Sequence, residues 1–400
     1  MKNRKFDIVV IGAGPSGSLC ARNLAAKGYS VLLAEKRPVV GVPVRCGEAT
    51  GTRKSLSRFM KINEDYIETD LNGVIFHGPG GITIRYDKPD VGLMIDRKLF
   101  DQDVARQAER AGATLCVNTR VAGISPVQNG TRELLVVDEI TGESESITAF
   151  MVVGADGAES LSGRWVGLKT RLLPPYVCSA IELRIDAVDA NPNHLTFWQG
   201  HDSINKGYVW VFPKVKSKVI NLGSGVITPK MGEKNMYDLS MEYKQRLFPE
   251  AKLLAVHGGA VPVSGNLEEY SEDRFLLCGD AAHHTNPLTG GGIISGILGG
   301  EIASKWIDLA FKQSDFSKAF FQKYQLDCWE RFGKGHRRQM RIREFVTDLP
   351  RPAQISFYKI INYMAEKNAT LPSKFVGYSR LLALAAANWK AAQKMIKSKS

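Results

Sequence analysis

The first run of this chain whose residue types and spacing could do chemistry is Gly12-Ala13-Gly14-Pro15-Ser16-Gly17. It fits G-x-G-x-x-G. Gly12 permits a tight turn, Gly14 lets the backbone approach a pyrophosphate, and Gly17 allows a helix to pack closely on a strand. Amides and the positive dipole end at a helix start would meet the phosphates there. Glu35, eighteen residues beyond Gly17, could accept hydrogen bonds from ribose hydroxyls. This is a dinucleotide site, and the motif alone suits FAD and NAD equally. Arg97 opens a second helical segment, where a cation opposes the dipole, so an anionic partner is expected for it. Tyr208, Trp210 and Phe212 alternate along one segment. On a strand they would share a face and form a flat apolar wall. No Ser/His/Asp triad or metal-ligand cluster stands out.

These residues need elements to hold them. Phe6 to Ile11 and Ser30 to Ala34 are continuous apolar runs of the kind buried in a parallel sheet, with a helical segment, Ser18 to Lys27, between them. A further helix is expected at Leu99–Ala111, then a strand near Thr114–Val117. Antiparallel strands follow at Glu133–Asp138 and Ser146–Val153, with a turn at Thr141-Gly142. Tyr176 to Val263 reads mostly as strand, with one helix near Met236–Leu247. From Gly292 onward the pattern is helical. The fold class is α/β. With 400 residues, 44% of them hydrophobic, the chain can bury a large core over two or three domains. Six scattered cysteines suit neither a disulfide scaffold nor a CxxC cluster, so free thiols in a cytoplasmic protein are expected. The basic start followed by Ile8–Ile11 is too short for a signal peptide, and no apolar run is long enough to span a membrane.

Two distant segments extend the glycine motif. Val152-Val153-Gly154-Ala155-Asp156-Gly157, with Ser160 and Arg164, resembles the DG motif of flavoprotein hydroxylases. Cys278-Gly279-Asp280, running on to Pro287 and Gly290-Gly291-Gly292-Ile293, resembles their GD motif. The resemblance implies FAD, with Asp280 on the ribityl chain and the helix start at Gly291, Gly292 and Ile293 beside the flavin. Val44-Arg45-Cys46-Gly47-Glu48-Ala49 and Gly207-Tyr208-Val209-Trp210-Val211-Phe212-Pro213, a Y-x-W-x-F-P signature, narrow this further. Together the motifs resemble the geranylgeranyl reductase family, and most of all its archaeal-type digeranylgeranylglycerophospholipid reductases. The likeness runs from about Phe6 to about Phe332. Asn205 stands where the family usually has proline, and Ala49 where it often has glycine. The resemblance implies that Arg45, Cys46, Gly47 and Ala49 face the flavin, that Arg97 lies on FAD, and that the backbone at Val121-Ala122 meets the adenine. It also turns the aromatic wall into a polyprenyl site. Cys46, on base rates a small buried hydrophobe, could there contact the ring or supply a proton. His283 and His284 are assigned local hydrogen bonding only.

The implied reaction is saturation of isolated C=C bonds in an isoprenoid lipid. Such bonds are not activated by a carbonyl, so the protein contributes orientation and water exclusion. A flavin monooxygenase of the same fold, acting on an apolar substrate, is the alternative. The halogenase signature W-x-W-x-I-P is absent, as is the cysteine set of a quinone-linked electron-transfer dehydrogenase. With no second G-x-G-x-x-G between strand and helix, electrons should come from an external donor: ferredoxin, a deazaflavin or NAD(P)H. The FAD-binding domain is expected to be Rossmann-type and discontinuous, over residues 1–75, 96–170 and 265–305. An antiparallel β substrate domain takes 76–95 and 171–264, and a helical region takes 306–400. The net charge of +12 first suggests nucleic acid or an anionic membrane. Residues 330–400, however, hold 15 Lys+Arg and 4 Asp+Glu, while the other 329 residues hold 38 and 37. The base is a C-terminal segment on a near-neutral body. With its apolar helical stretch Phe375–Trp389, that segment suggests peripheral contact with anionic membrane, and no nucleic acid.

Overall fold

The computed structural model describes residues 4–200, 202–227 and 235–367. The strand Arg4–Ile11 is apolar and buried from Ile8 onward, which requires cover on both faces. It pairs in parallel with Val31–Ala34 on one side and Ser144–Gly154 on the other. Thr114–Cys116 extends the sheet beyond Val31–Ala34, and Phe275–Leu277 extends it beyond Ser144–Gly154, both in parallel. Arg132–Asp138 joins Ser144–Gly154 as an antiparallel hairpin through the Thr141-Gly142 turn. Helices Pro15–Ala25 and Ile293–Gln313 lie together on this sheet. Gly296 and Gly300 let them approach, since a Cβ at either would run into Ser16.

The second sheet has eight strands, in the order Lys252–Pro262, Val177–Asp186, Val219–Ile227, Ile204–Lys214, His194–Gly200, Ile67–His77, Thr83–Ile95, Ala49–Thr50. Only the contact of His194–Gly200 with Ile67–His77 is parallel. Its two faces differ. Leu183, Ile185, Val209, Val211, Ile220 and Leu222 pack under the helix Met236–Leu247. Trp210 and Phe212, one residue out of phase with that set, pack with Leu71, Met94 and Ala180 on the opposite face.

One expected boundary moves. Residues 67–75, expected in the dinucleotide unit, belong to the second sheet through its strand Ile67–His77. Ile67, Thr69, Leu71, Gly73 and Ile75 are buried in alternation with more exposed neighbours, the period of a strand buried on one face. Ala49–Thr50, also expected in the dinucleotide unit, closes the sheet edge against Met94 and Leu93. Beyond Ile293–Gln313 the chain is helical as expected, through Lys318–Cys328, Lys334–Asp348 and Arg351–Lys367. The stretch Phe375–Trp389 lies outside the described residues.

Candidate active site

The glycine turn is built for close approach. Gly12 has φ +103°, and a Cβ there would overlap the Ala155 carbonyl. A Cβ on Gly17 would overlap the Gly12 carbonyl, whereas Gly14 faces open space. Gly14 caps the helix with Pro15 at its start and no capping side chain, so the first-turn amides keep no side-chain partner. Glu35 ends the second strand and accepts from the Ala13 N–H at 3.0 Å. Its other oxygen accepts from the Arg37 N–H at 3.0 Å. An open glycine, uncapped amides and an acid fixed at the strand end fit the pyrophosphate and ribose of a dinucleotide.

The two aspartates sit further along the same crevice. Asp280 accepts from the Thr285 hydroxyl at 2.8 Å. Its Oδ1 would lie 3.1 Å from a Cβ on Gly292, so it faces the start of the helix Ile293–Gln313. Gly292 caps that helix without a side chain, and the turn Gly290-Gly291 precedes it. Gly279 has φ +66° and packs on Ser16. Burial holds Asp280 above the usual carboxylate range. Asp156 accepts from the N–H and hydroxyl of Ser162, at 2.9 and 2.7 Å. It therefore ties down the first turn of the short helix Leu161–Trp165. Val121 is buried in the core of the first sheet, and the strand is bulged between Val121 and Gly123, with Ala122 at the bulge. His283 and His284 are buried, lowered by that burial to about 4 and about 3, and neutral. His283 Nδ1 meets the Ser264 hydroxyl, and His284 Nδ1 accepts from the Gly279 N–H. Both do local work, as expected.

The loop 45–48 lies over the face of the second sheet that carries Trp210 and Phe212. Its anchor is Glu48, which is fully buried and has φ +67°. Glu48 Oε2 accepts from Arg184 at 2.5 Å, Lys214 at 3.0 Å and Asn221 at 2.7 Å. Its Oε1 accepts from the Arg97 N–H at 2.9 Å, which ties the loop to the helix Arg97–Arg110. Arg97 finds an anion within its own helix: Asp101 accepts from its guanidinium at 2.8 and 2.9 Å. The Cys46 Sγ accepts from the Glu48 N–H at 3.2 Å. Burial raises the Cys46 thiol, and the neighbouring Arg97 charge pulls it back. Arg45 lies over Gly259, and Gly47 lies 3.1 Å, measured from a notional Cβ, from the Phe212 ring.

Tyr208, Trp210 and Phe212 do share one face. Their rings follow one another at 5.8 and 6.1 Å, and Phe197 packs edge-on against Tyr208 and Phe212. Trp210 fits because Gly223 is its cross-strand neighbour, where a Cβ would enter the indole. The wall has two ends. Phe212 abuts Gly47, and the Tyr208 hydroxyl donates to the Thr289 carbonyl at 2.6 Å, just before Gly290-Gly291-Gly292. The aromatics thus run from the loop 45–48 to the start of the helix Ile293–Gln313.

This arrangement has relatives. A family model described as FAD binding domain matches residues 5–198, and one described as geranylgeranyl reductase catalytic domain matches residues 177–261. A digeranylgeranylglycerophospholipid reductase of Methanocella arvoryzae is 34% identical over 86% of this chain and 88% of its own length. One of Methanosarcina mazei is 35% identical over 81% and 80%. The chain belongs to the geranylgeranyl reductase family. A solved geranylgeranyl bacteriochlorophyll reductase-like protein from Thermoplasma acidophilum superposes on this reductase with TM-score 0.87 at 28% identity, over 99% of both chains. The halogenase PltM in complex with FAD, at 15% identity and TM-score 0.68 over 96% of this chain and 85% of its own, shares the fold alone. The reductase is an FAD-dependent oxidoreductase.

Sequence reasoning passed over the polar half of the site. Glu48 lay inside a motif already singled out. Glu182, Lys214 and Asn221 were hidden in strands read for their apolar residues. An acid between Ile181 and Leu183 was the available signal, because a charged residue on a central strand must face a partner or a cavity.

Proposed function

We propose that this reductase saturates the isolated C=C bonds of geranylgeranyl chains carried by a membrane lipid or its precursor. The carrying observation is the aromatic wall, which spans the gap between the loop 45–48 and the helix start at Gly292. A polyprenyl chain laid along Tyr208, Trp210 and Phe212 would be held flat against a surface of the same apolar character. Gly12, Gly14, Pro15, Gly17 and Glu35 would hold the dinucleotide end of FAD. Arg97, Val121, Ala122, Asp156, Gly279 and Asp280 would line its length. Arg45, Cys46, Gly47, Ala49, Gly291, Gly292 and Ile293 would flank the ring. Bound FAD, once reduced, supplies the hydride. The protein's own work is to orient the chain, exclude water and hold a proton near the second carbon, and Cys46 is the proposed donor. The first sheet serves as the cofactor half and the second as the substrate half.

Reducing equivalents come from an external donor, since one glycine fingerprint serves the flavin and no second one follows a strand. Among the described residues no helix is long and apolar enough to cross a membrane. Contact with lipid is assigned to the basic C-terminal region, at the cytoplasmic membrane face. The test is anaerobic reduction of the holoenzyme followed by incubation with a geranylgeranylated glycerophospholipid. Product mass should rise in two-hydrogen steps. Product hydroxylated in air at the expense of NAD(P)H would mark a monooxygenase instead.

A further inference from the structure

Glu182 sits in the strand Val177–Asp186 with its side chain on the face that carries Trp210 and Phe212. It is buried, and its Oε2 lies 3.7 Å from a notional Cβ on Gly47, directly beneath the loop 45–48. Neither carboxyl oxygen makes a hydrogen bond. The Trp210 indole N–H alongside it, also buried, makes no hydrogen bond of normal geometry, yet it stands close enough to the carboxyl to favour its charged form. The cross-strand neighbour of Glu182 is His257, on the outer edge strand Lys252–Pro262, and its buried Nε2 is again without a partner. Adjacent buried polar groups without a well-formed hydrogen bond are rare, since each forgoes one it would have in water. Stability alone does not account for them.

We propose that Glu182 is the proton store of the reduction, recharging the Cys46 thiol across the loop 45–48 and being recharged in turn from solvent past His257. The proposal rests on the reductase reading above and on Cys46 as donor. In the step, one alkene carbon takes the hydride that the family's activity supplies. The Cys46 S–H bond breaks and a C–H bond forms at the other carbon. The thiolate left behind lies beside the Arg97 guanidinium. The Glu182 O–H bond then breaks, the S–H bond re-forms, and the carboxylate takes a proton from water. No electrons pass through either residue.

The surroundings suit a neutral acid. Burial and the facing Glu48 push Glu182 up to about 8, against the pull of Arg184 on its own strand and Lys214 on Ile204–Lys214. Cys46 faces it from the loop. His257, on the remaining side, is lowered by burial and by Arg184, and is neutral. Glu182 is a positioning residue, because it acts through Cys46.

The test compares wild type with Glu182→Gln and Glu182→Asp, each as FAD-loaded holoenzyme. Infrared difference spectra against Glu182→Gln should show a protonated carboxyl band at neutral pH that fades as pH rises through about 8. In single turnovers of pre-reduced enzyme with geranylgeranylated lipid, the wild-type rate should fall over the same range. Glu182→Gln should be slower by roughly 100-fold, the low end of acid–base contributions, and should lose that pH limb. Glu182→Asp should restore both band and limb in part. A carboxyl band absent at neutral pH, or a Glu182→Gln enzyme with the wild-type pH profile, overturns the proposal. A wild-type enzyme that reduces flavin but saturates no lipid overturns the functional reading instead.

Discussion

Single atoms decide much of this site. Glu48 is the plainest case, because one buried carboxylate satisfies Arg184, Lys214, Asn221 and the Arg97 amide. Glu48→Ala would leave the Lys214 ammonium buried, with Asp96 and Glu68 no closer than 3.7 and 3.8 Å. Breaking such a pair costs about 3–5 kcal/mol, so thermal unfolding should shift down sharply and the loop 45–48 should lose protection from proteolysis. Gly17→Ala pushes a methyl into the Gly12 carbonyl, and the purified protein should lack flavin absorbance. Glu182 also has a stability signature. Its pKa is about 8 in the folded chain and roughly 4.3 when unfolded. The folded state therefore binds the extra proton between those values, and stability falls as pH rises through that window, by at most about 1.4 kcal/mol per unit. Denaturant titrations of Glu182→Gln should lose that slope; an unchanged slope would assign it to another group.

At the scale of elements, the strand Ile204–Lys214 carries two jobs in alternate residues. Val209 and Val211 fasten the helix Met236–Leu247, while Tyr208, Trp210 and Phe212 form the opposite face and Lys214 holds the loop 45–48 through Glu48. Trp210→Ala opens a hollow above Gly223 and should cost about 3–5 kcal/mol. It should also raise KM for the isoprenoid lipid while flavin binding persists, whereas a change in flavin affinity would place the indole at the cofactor instead. These elements were largely legible beforehand. Period-two alternation and glycine turns are local signals, and they located the aromatic wall and the glycine cradle. Pairing partners were less legible. Nothing local in Ile67–His77 says that it joins His194–Gly200 in parallel rather than the first sheet. The loop 45–48 could be read as a motif, but its clamp comes from strands far along the chain. Asn205 shows the same limit. Its amide donates to the Thr347 carbonyl and its oxygen accepts from Gln354, joining the aromatic strand to the C-terminal helices.

Along the chain, charge is segregated, with the base concentrated from residue 330 onward. Lys334, Arg337, Arg338 and Arg341 line a shallow hollow of about 410 Å³ with Trp329 and Phe345. Exposed cations beside aromatic side chains suit an anionic lipid surface. Each cation near such a surface contributes about 1 kcal/mol, so Arg337→Gln/Arg338→Gln/Arg341→Gln should weaken binding to phosphatidylserine vesicles by roughly 100-fold. Added salt should erase the difference; equal binding of both proteins at low salt would remove this face from the membrane.

The path of the chain between the two sheets also sets an order of events during synthesis. Ser144–Gly154 waits for Phe275–Leu277 to cover its flank, and the Leu277 carbonyl waits for the Tyr324 hydroxyl. The glycine cradle near the N-terminus meets its packing partners, Gly279, Gly296 and Gly300, only when the last third of the chain has left the ribosome. A nascent chain stalled before residue 270 should therefore expose the unfinished edge of the first sheet at Ser144–Gly154, recruit chaperones and capture no flavin. The cofactor would then act as a late seal on a completed fold, and its supply would set how much newly made protein survives.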